Sequence, residues 1–374
     1  MKNNKVCIVL GNDHYNTLNV VRSLGEAKIQ VSAIIISDKP KSFVLKSKHI
    51  YNGEVLQHPD ASYIINKYAN SGTRIPILAT CDSLAAFLDR HYDALSKHFI
   101  LPSVGNTQGL LVHEMDKNIQ LEHAEKAGFD IPKSVAISLD NLSATDLSGI
   151  PYPCIIKPEE SIGGSKSDFR LCYTEKELRE RLLNLSKNLH RVLVQQFVPN
   201  NHVMVISGVR TINNINYVFG EIDKFKHGNQ LHNLGLNCMG VLSPISELRN
   251  TCISYVDAID YHGCYSIDIV RVCNQSTSAQ NQNYFMEINL RTDGLLYFYR
   301  KAGINFPAIW VNSCYNEKVN VTPSQNKIYG MNEFMYFRHC LSAAVFTDLF
   351  KTDIFSTFSI KDIKPFIYRF LYHG

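Results

Sequence analysis

Short, continuous apolar runs alternate with helical segments through the first hundred residues, and this alternation most constrains the fold. Val6-Cys7-Ile8-Val9-Leu10 is apolar at every position, and 31–36 and 75–80 are nearly so. A strand with one wet face would alternate polar and apolar residues, so uninterrupted runs predict strands buried on both faces. The intervening segments, 17–24 closed by Gly25 and 85–95, predict helices. Together they predict an α/β unit on a parallel, Rossmann-like sheet. The loop Gly11-Asn12-Asp13-His14-Tyr15-Asn16 follows the first strand, where open α/β sheets place ligands. With a single glycine it lacks the dinucleotide fingerprint, which argues against a nicotinamide cofactor.

Composition removes other classes. The 374 residues are enough for two or three domains, and 45% hydrophobic with 19% charged content is globular rather than disordered. A net charge of +4, densest at Lys39, Lys41, Lys46 and Lys48, is too small and scattered for a nucleic-acid footprint. No apolar stretch approaches the roughly 18 residues that cross a bilayer, and the first run is too short for a secretory signal. The ten cysteines include no C-x-x-C pair, and Cys7, Cys154, Cys172 and Cys264 sit in apolar runs. Buried free thiols and a cytoplasmic location are the expectation.

Beyond residue 106 the pattern changes. Leu111, Met115 and Ile119 recur four apart and predict a helix that stops at Gly128. Tyr152-Pro153-Cys154-Ile155-Ile156-Lys157-Pro158 predicts a strand bounded by prolines, followed by the glycine-rich turn Gly163-Gly164-Ser165 and a return strand near 169–173. Thr174 and Glu177 form a capping box for the next helix, and strands are expected at 192–197, 203–209 and 217–222. Pro244 is placed in the first turn of a helix running to about 261, ahead of strands at 264–272 and 284–289. Clustered strands of this kind predict an α+β region after the α/β unit.

The strongest chemical constellation lies in the last two strands. Glu287 and Asn289 are two apart, so they share a face, and an antiparallel partner can bring Asp268 to the same face. Two carboxylates and an amide oxygen are hard ligands suited to Mg2+. Arg291, two residues further on, can hold a phosphate or carboxylate in a fork. Lys157 ends an apolar strand, where an unpaired ammonium is costly and an anionic ligand or a route to solvent would explain it.

The order Met115-Asp116-Lys117, Ile155-Ile156-Lys157-Pro158, glycine-rich hairpin, Val194-Gln195-Gln196-Phe197-Val198-Pro199, Ser266-Ile267-Asp268 and Met286-Glu287-Ile288-Asn289-Leu290-Arg291 resembles the ATP-grasp superfamily. The branch it is most similar to contains carbamoyl-phosphate synthase and D-aspartate ligase. That resemblance implies a two-lobed ATP-grasp region at 106–315, with a small lobe at about 130–198 and a large lobe at about 199–315. Before it would stand an N-terminal α/β domain at 1–105, and after it a helical, aromatic tail at 316–374 covering the core. It also implies residue roles. Lys117 and Lys157 would hold the nucleotide phosphates, Gly163, Gly164 and Ser165 would close over them, and Gln195, Gln196, Phe197 and Val198 would meet adenine. Asp268, Glu287 and Asn289 would bind one or two Mg2+ ions, with Mn2+ as a substitute. Arg291 would act with Lys157 at the transferred phosphate. Where the family places an acid on the ribose hydroxyls this chain reads Asn200-Asn201-His202, leaving His202 for that contact.

The implied activity is a carboxylate–amine ligase: a substrate carboxylate takes the γ-phosphate of ATP, and an amine then displaces phosphate from the acyl phosphate. Similarity to D-aspartate ligase implies an amino acid as one substrate, joined to a cell-envelope or polysaccharide precursor. Bicarbonate or another small acid is the alternative, and a non-catalytic ATP-binding module is a third. Expected partners are ATP and small-molecule acids and amines, without nucleic acid, and a homodimer is compatible with the aromatic tail. Residues 13–16, the segment 223–227, Arg210 and Arg300 are candidate acceptor contacts, with plain surface or salt-bridge roles favoured.

Overall fold

The structure is a computed structural model describing residues 5–69, 72–144, 146–147, 149–158, 170–185, 190–198, 202–227, 237–245, 247–273, 281–341 and 343–373. The expected first unit is present. Strands β1 (Val6–Asn12), β2 (Gln30–Ile36), β3 (Ile50–Leu56), β4 (Ile75–Ala79) and β5 (Phe99–Ile100) form a parallel sheet in the order β3-β2-β1-β4-β5. Its apolar runs are continuous because each face has its own core. Ile8 and Leu10 pack with Ile34 and Ile77 on one side, while Cys7 and Val9 pack with Val31, Ile35 and Leu78 on the other. Each fully buried side chain of this size contributes about 1.5–3 kcal/mol. The edge strand β3 was hidden in the sequence because its residues are mostly half-buried or exposed and not patterned as apolar.

A short strand, β6 (Ser103–Val104), pairs with a later strand and leads into the second region. There β7 (Ser134–Ser138), β8 (Cys154–Pro158), β9 (Arg170–Cys172) and β10 (Arg191–Gln196) form an antiparallel sheet in the order β7-β10-β8-β9. The helix Glu175–Leu183 packs Leu178 and Leu182 on its core and starts at the expected cap, with Glu177 N–H donating to Thr174 Oγ1 at 3.2 Å.

The third sheet holds β11 (His202–Arg210), β12 (Asn216–His227), β13 (Asn237–Pro244), β14 (Tyr261–Val272), β15 (Gln282–Asn289), β16 (Ile328–Met331) and β17 (Ile354–Phe355), in the order β15-β14-β11-β12-β13-β16-β17. Pro244 ends β13 rather than opening a helix; the helix that follows is Arg249–Ala258. Proline fits either position, since it asks only for a place where no N–H is required. The tail is helical in part, through Lys364–His373, but it also supplies β16 and β17 to the sheet. It is tied to the first unit by a buried ion pair, Arg22 Nε to Asp362 Oδ2 at 2.9 Å. None of the ten cysteines is in a disulfide, and the four expected to be buried are so. Among the described residues no helix is long and apolar enough to cross a membrane.

Candidate functional site

The region expected to be one helix from 106 to 128 is two: Leu110–His113, then Lys117–Ala127. Asp116 makes the break by capping the second helix, accepting from Asn118 N–H at 2.8 Å and Ile119 N–H at 3.2 Å. This puts Lys117 at the first helical position, buried rather than on a solvated face. Its ammonium reaches across to β8 and donates to the Pro158 carbonyl at 3.0 Å.

Lys157 lies on β8, opposite Leu193 of β10, and is 9% exposed. Its ammonium donates to Gln195 Oε1 at 2.6 Å, and Gln195 in turn donates Nε2 to Ser134 Oγ at 3.0 Å. Burial pushes the Lys157 pKa down to about 8, Lys117 adds to the push, and Glu287 and Asp268 oppose it. Lys117 is lowered as well, chiefly by burial, with Glu287 and Asp82 opposing. Among the described residues neither ammonium has a carboxylate within ion-pair distance; both rest on neutral oxygens.

The two carboxylates sit side by side. Asp268 on β14 and Glu287 on β15 are direct cross-strand partners. The register slips by one residue immediately after them, so that Ile269 faces Phe285 and Met286 is left over. Such a bulge re-aims neighbouring side chains and is common beside functional sites. Lys224 of β12 donates to Asp268 Oδ1 at 2.6 Å, and Asn289 Nδ2 lies 3.4 Å from Asp268 Oδ2. Glu287 has no hydrogen bond or ion pair among the described residues, although it stands within electrostatic reach of Lys117, Lys157 and Arg291.

Arg291 is on the expected side and donates Nη2 to Asn289 Oδ1 at 3.0 Å. Its main partner was missed in the sequence. Nε and Nη2 grip both oxygens of Asp82 at 3.0 Å each, and Asp82 opens the helix Asp82–Arg90 after β4. Burial disfavours the Arg291 charge, but Asp82 outweighs it and holds the guanidinium firmly protonated. No local signal links two residues so far apart in the chain.

The other expected contacts separate into groups. Gln196 and Phe197 lie at and just beyond the end of β10, where Gln196 N–H donates to the Lys133 carbonyl at 2.7 Å and Phe197 N–H to the Pro153 carbonyl at 2.9 Å; Val198 is buried. His202 opens β11 with Nδ1 2.9 Å from Asp223 Oδ2, so a carboxylate does stand beside it, supplied by β12 rather than by the linker. Gly163, Gly164 and Ser165 lie outside the described residues. Arg210 is held by Asp257 and Asp260 at 2.9 and 2.8 Å, and Arg300 by Glu26 at 2.6 Å, the structural roles favoured for them.

Four cations, Lys117, Lys157, Lys224 and Arg291, thus surround Asp268 and Glu287. Among the described residues no cluster of three His, Cys, Asp or Glu side chains is able to cage a metal on its own. The donor set fits Mg2+ shared with phosphate oxygens, which needs only one or two protein carboxylates. Asn289 now turns its nitrogen toward Asp268 and its oxygen toward Arg291, so it joins such a set only if its amide turns over.

No family model matches the chain, and no curated protein matches it in sequence. Solved structures do. An ADP complex of PurK, an N5-carboxyaminoimidazole ribonucleotide synthetase, superposes with a TM-score of 0.68 at 13% identity, covering 90% of this chain and 84% of that one. An L-amino acid ligase from Bacillus licheniformis gives 0.60 at 14% identity over 84% of this chain and 75% of its own. A biotin carboxylase–β-γ-ATP complex from Campylobacter jejuni gives 0.64 at 15% over 85% and 72%. These are ATP-grasp enzymes of varied substrate, alike in how they fold. The chain has the ATP-grasp fold.

Proposed function

We propose that this protein is an ATP-dependent carboxylate–amine ligase working through an acyl phosphate. The observation that carries the proposal is the pair of buried ammonium groups, Lys117 and Lys157, lacking carboxylate partners among the described residues and facing the uncommitted Glu287. Buried positive charge resting on neutral oxygens is costly until an anion arrives, and a triphosphate is an anion of the right charge and extent. Lys117 and Lys157 would hold its phosphates, Gln195 to Val198 its adenine, and His202 with Asp223 its ribose. The loop with Gly163, Gly164 and Ser165 would close over it. Asp268 and Glu287, with Asn289 after its amide turns, would hold Mg2+, which supplies neutralisation of charge on the phosphate oxygens when bound.

In the first step an oxygen of the substrate carboxylate attacks the γ-phosphorus and the bond to the β-phosphate oxygen breaks, giving acyl phosphate and ADP. Lys157 and Arg291 stabilise the charge spreading over the transferred group. In the second, the amine attacks the acyl carbon, loses a proton and expels inorganic phosphate, leaving an amide. The nucleophiles belong to the substrates, so no protein nucleophile is required. The likeness to an L-amino acid ligase supports an amino acid as one substrate, and we extend this to a D-aspartate ligase-like reaction on an envelope or polysaccharide precursor. A second reading, a small acid such as bicarbonate in place of the amino acid, is supported by the likeness to PurK and to a biotin carboxylase domain solved with MgADP and bicarbonate. A coupled ADP-release screen, with amino acids, bicarbonate and small acids paired with amines, tests both. Release that depends on one acid is expected; ATP bound without ADP release for any pair would overturn the ligase proposal.

A further inference from the structure

The C-terminal helix Lys364–His373 brings a second guanidinium to the loop after β1. Arg369 lies with its guanidinium carbon 4.2 Å from the Phe334 ring centre, 5.1 Å from Phe43 and 5.9 Å from Tyr15. Rings cover its faces but leave its edge N–H donors in plane. Among the described residues one donor is used, by Thr357 Oγ1 at 2.8 Å, and no carboxylate lies within ion-pair distance. The acids nearest to it electrostatically, Glu333 and Asp13, are engaged elsewhere. Glu333 accepts from Ser356 N–H and Oγ–H and from the N–H groups of Thr357 and Phe358, and Asp13 accepts from Ser42 Oγ–H and from Phe43 and Val44 N–H.

The same junction leads back to the proposed phosphate site. Tyr15 packs against Gly294, in the turn just after Arg291, where a side chain would crowd its ring. His14 is exposed and lies within electrostatic reach of both arginines, which disfavour its protonated form. Its Nδ1 accepts from Asn16 N–H at 3.2 Å as the helix cap, which leaves the neutral ring with an Nε2–H donor.

We infer that Arg369, with His14, forms the recognition point for a second oxyanion on the substrate acid, whose reacting carboxylate lies toward Arg291. The acid is then a dianion, a dicarboxylate or a carboxylate carrying a phosphate-type group. This deepens the ligase proposal by naming a substrate class and rests on it for the direction of the reacting carboxylate. Titration calorimetry on the full chain with succinate, 3-phosphonopropionate and butyrate tests it without turnover. Both dianions should bind about tenfold or more tightly than butyrate, the worth of one charge-assisted contact. Arg369→Gln should erase that preference while leaving affinity for a non-hydrolysable ATP analogue unchanged, and the tighter of the two dianions identifies the oxyanion. Should Arg369→Gln fail to fold, His14→Asn, which keeps a capping oxygen but drops the Nε2–H, should still narrow the preference several-fold. Equal binding of dianions and butyrate to the wild type, or a preference that survives Arg369→Gln, would overturn the inference. Absence of ADP release would instead count against the ligase proposal alone.

Discussion

Replacing Lys157 by Met should stabilise the nucleotide-free protein at pH 7, or at least cost it nothing, while weakening nucleotide binding. Burial lowers the lysine from its ordinary 10.5 to about 8, so keeping it protonated inside the fold costs roughly 3 kcal/mol. Methionine has similar length and no charge. It does leave Gln195 Oε1 without its donor, a loss of about 1–3 kcal/mol, although Gln195 keeps its bond to Ser134. The net expectation is about 0 to 2 kcal/mol of added stability. The pH dependence carries the sign. Below about 8 both folded and unfolded chains hold the proton and the wild type bears the full penalty. Between about 8 and 10.5 the folded state releases it first, the wild type gains stability, and the advantage of Lys157→Met fades. Calorimetric unfolding of both proteins at pH 7 and 9.5 measures this. A variant less stable by more than about 2 kcal/mol at pH 7 would mean the ammonium is a structural anchor, not a charge awaiting an anion.

Three further substitutions test the same geometry. Glu287→Gln should leave the melting transition in place, because Glu287 has no hydrogen bond or ion pair to lose among the described residues. In a coupled ADP assay the same variant should lower turnover by about a hundredfold or more. Asp82→Ala removes both oxygens that grip Arg291, and steady-state kinetics should show kcat falling about tenfold with little change in KM for ATP, since Asp82 positions a group beside the transferred phosphate. Arg22→Ala strands a buried carboxylate and should cost about 3–5 kcal/mol in denaturant unfolding. Burial works against the Asp362 charge, but Lys48 N–H, Arg22 and Ser47 hold its carboxyl below the ordinary 3.8. Its contribution should therefore be full above about pH 4 and vanish as pH falls below that range, and a pH series of wild-type melts reads it.

Much of this was legible from residue order. Continuous apolar runs marked β1, β2 and β4 because each is buried on both faces, and two-residue spacing placed Glu287 and Asn289 on one side of β15. Lys157 stood out as an ammonium at the end of a buried strand. What the sequence hid were contacts made by elements distant in the chain. Arg291 meets Asp82 across 209 residues, and Lys224 reaches Asp268 from a strand two positions away in the sheet. Helical periodicity carried straight through Asp116, where the cap in fact ends one helix and starts another and so buries Lys117. Strands β16 and β17 are four and two residues long, too short for any periodicity; β16 exists because β13 offers it an edge, and β17 because β16 does.

The central claim is that Lys117, Lys157, Asp268 and Glu287 converge on a nucleotide triphosphate with its metal. Calorimetric titration of the full chain with a non-hydrolysable ATP analogue and Mg2+ tests it most directly. The wild type should bind one equivalent, with affinity that falls about tenfold or more in Lys117→Met and Lys157→Met. Glu287→Gln should lose the gain that Mg2+ gives. Binding of undiminished strength in both lysine variants, or none in the wild type, would contradict the account.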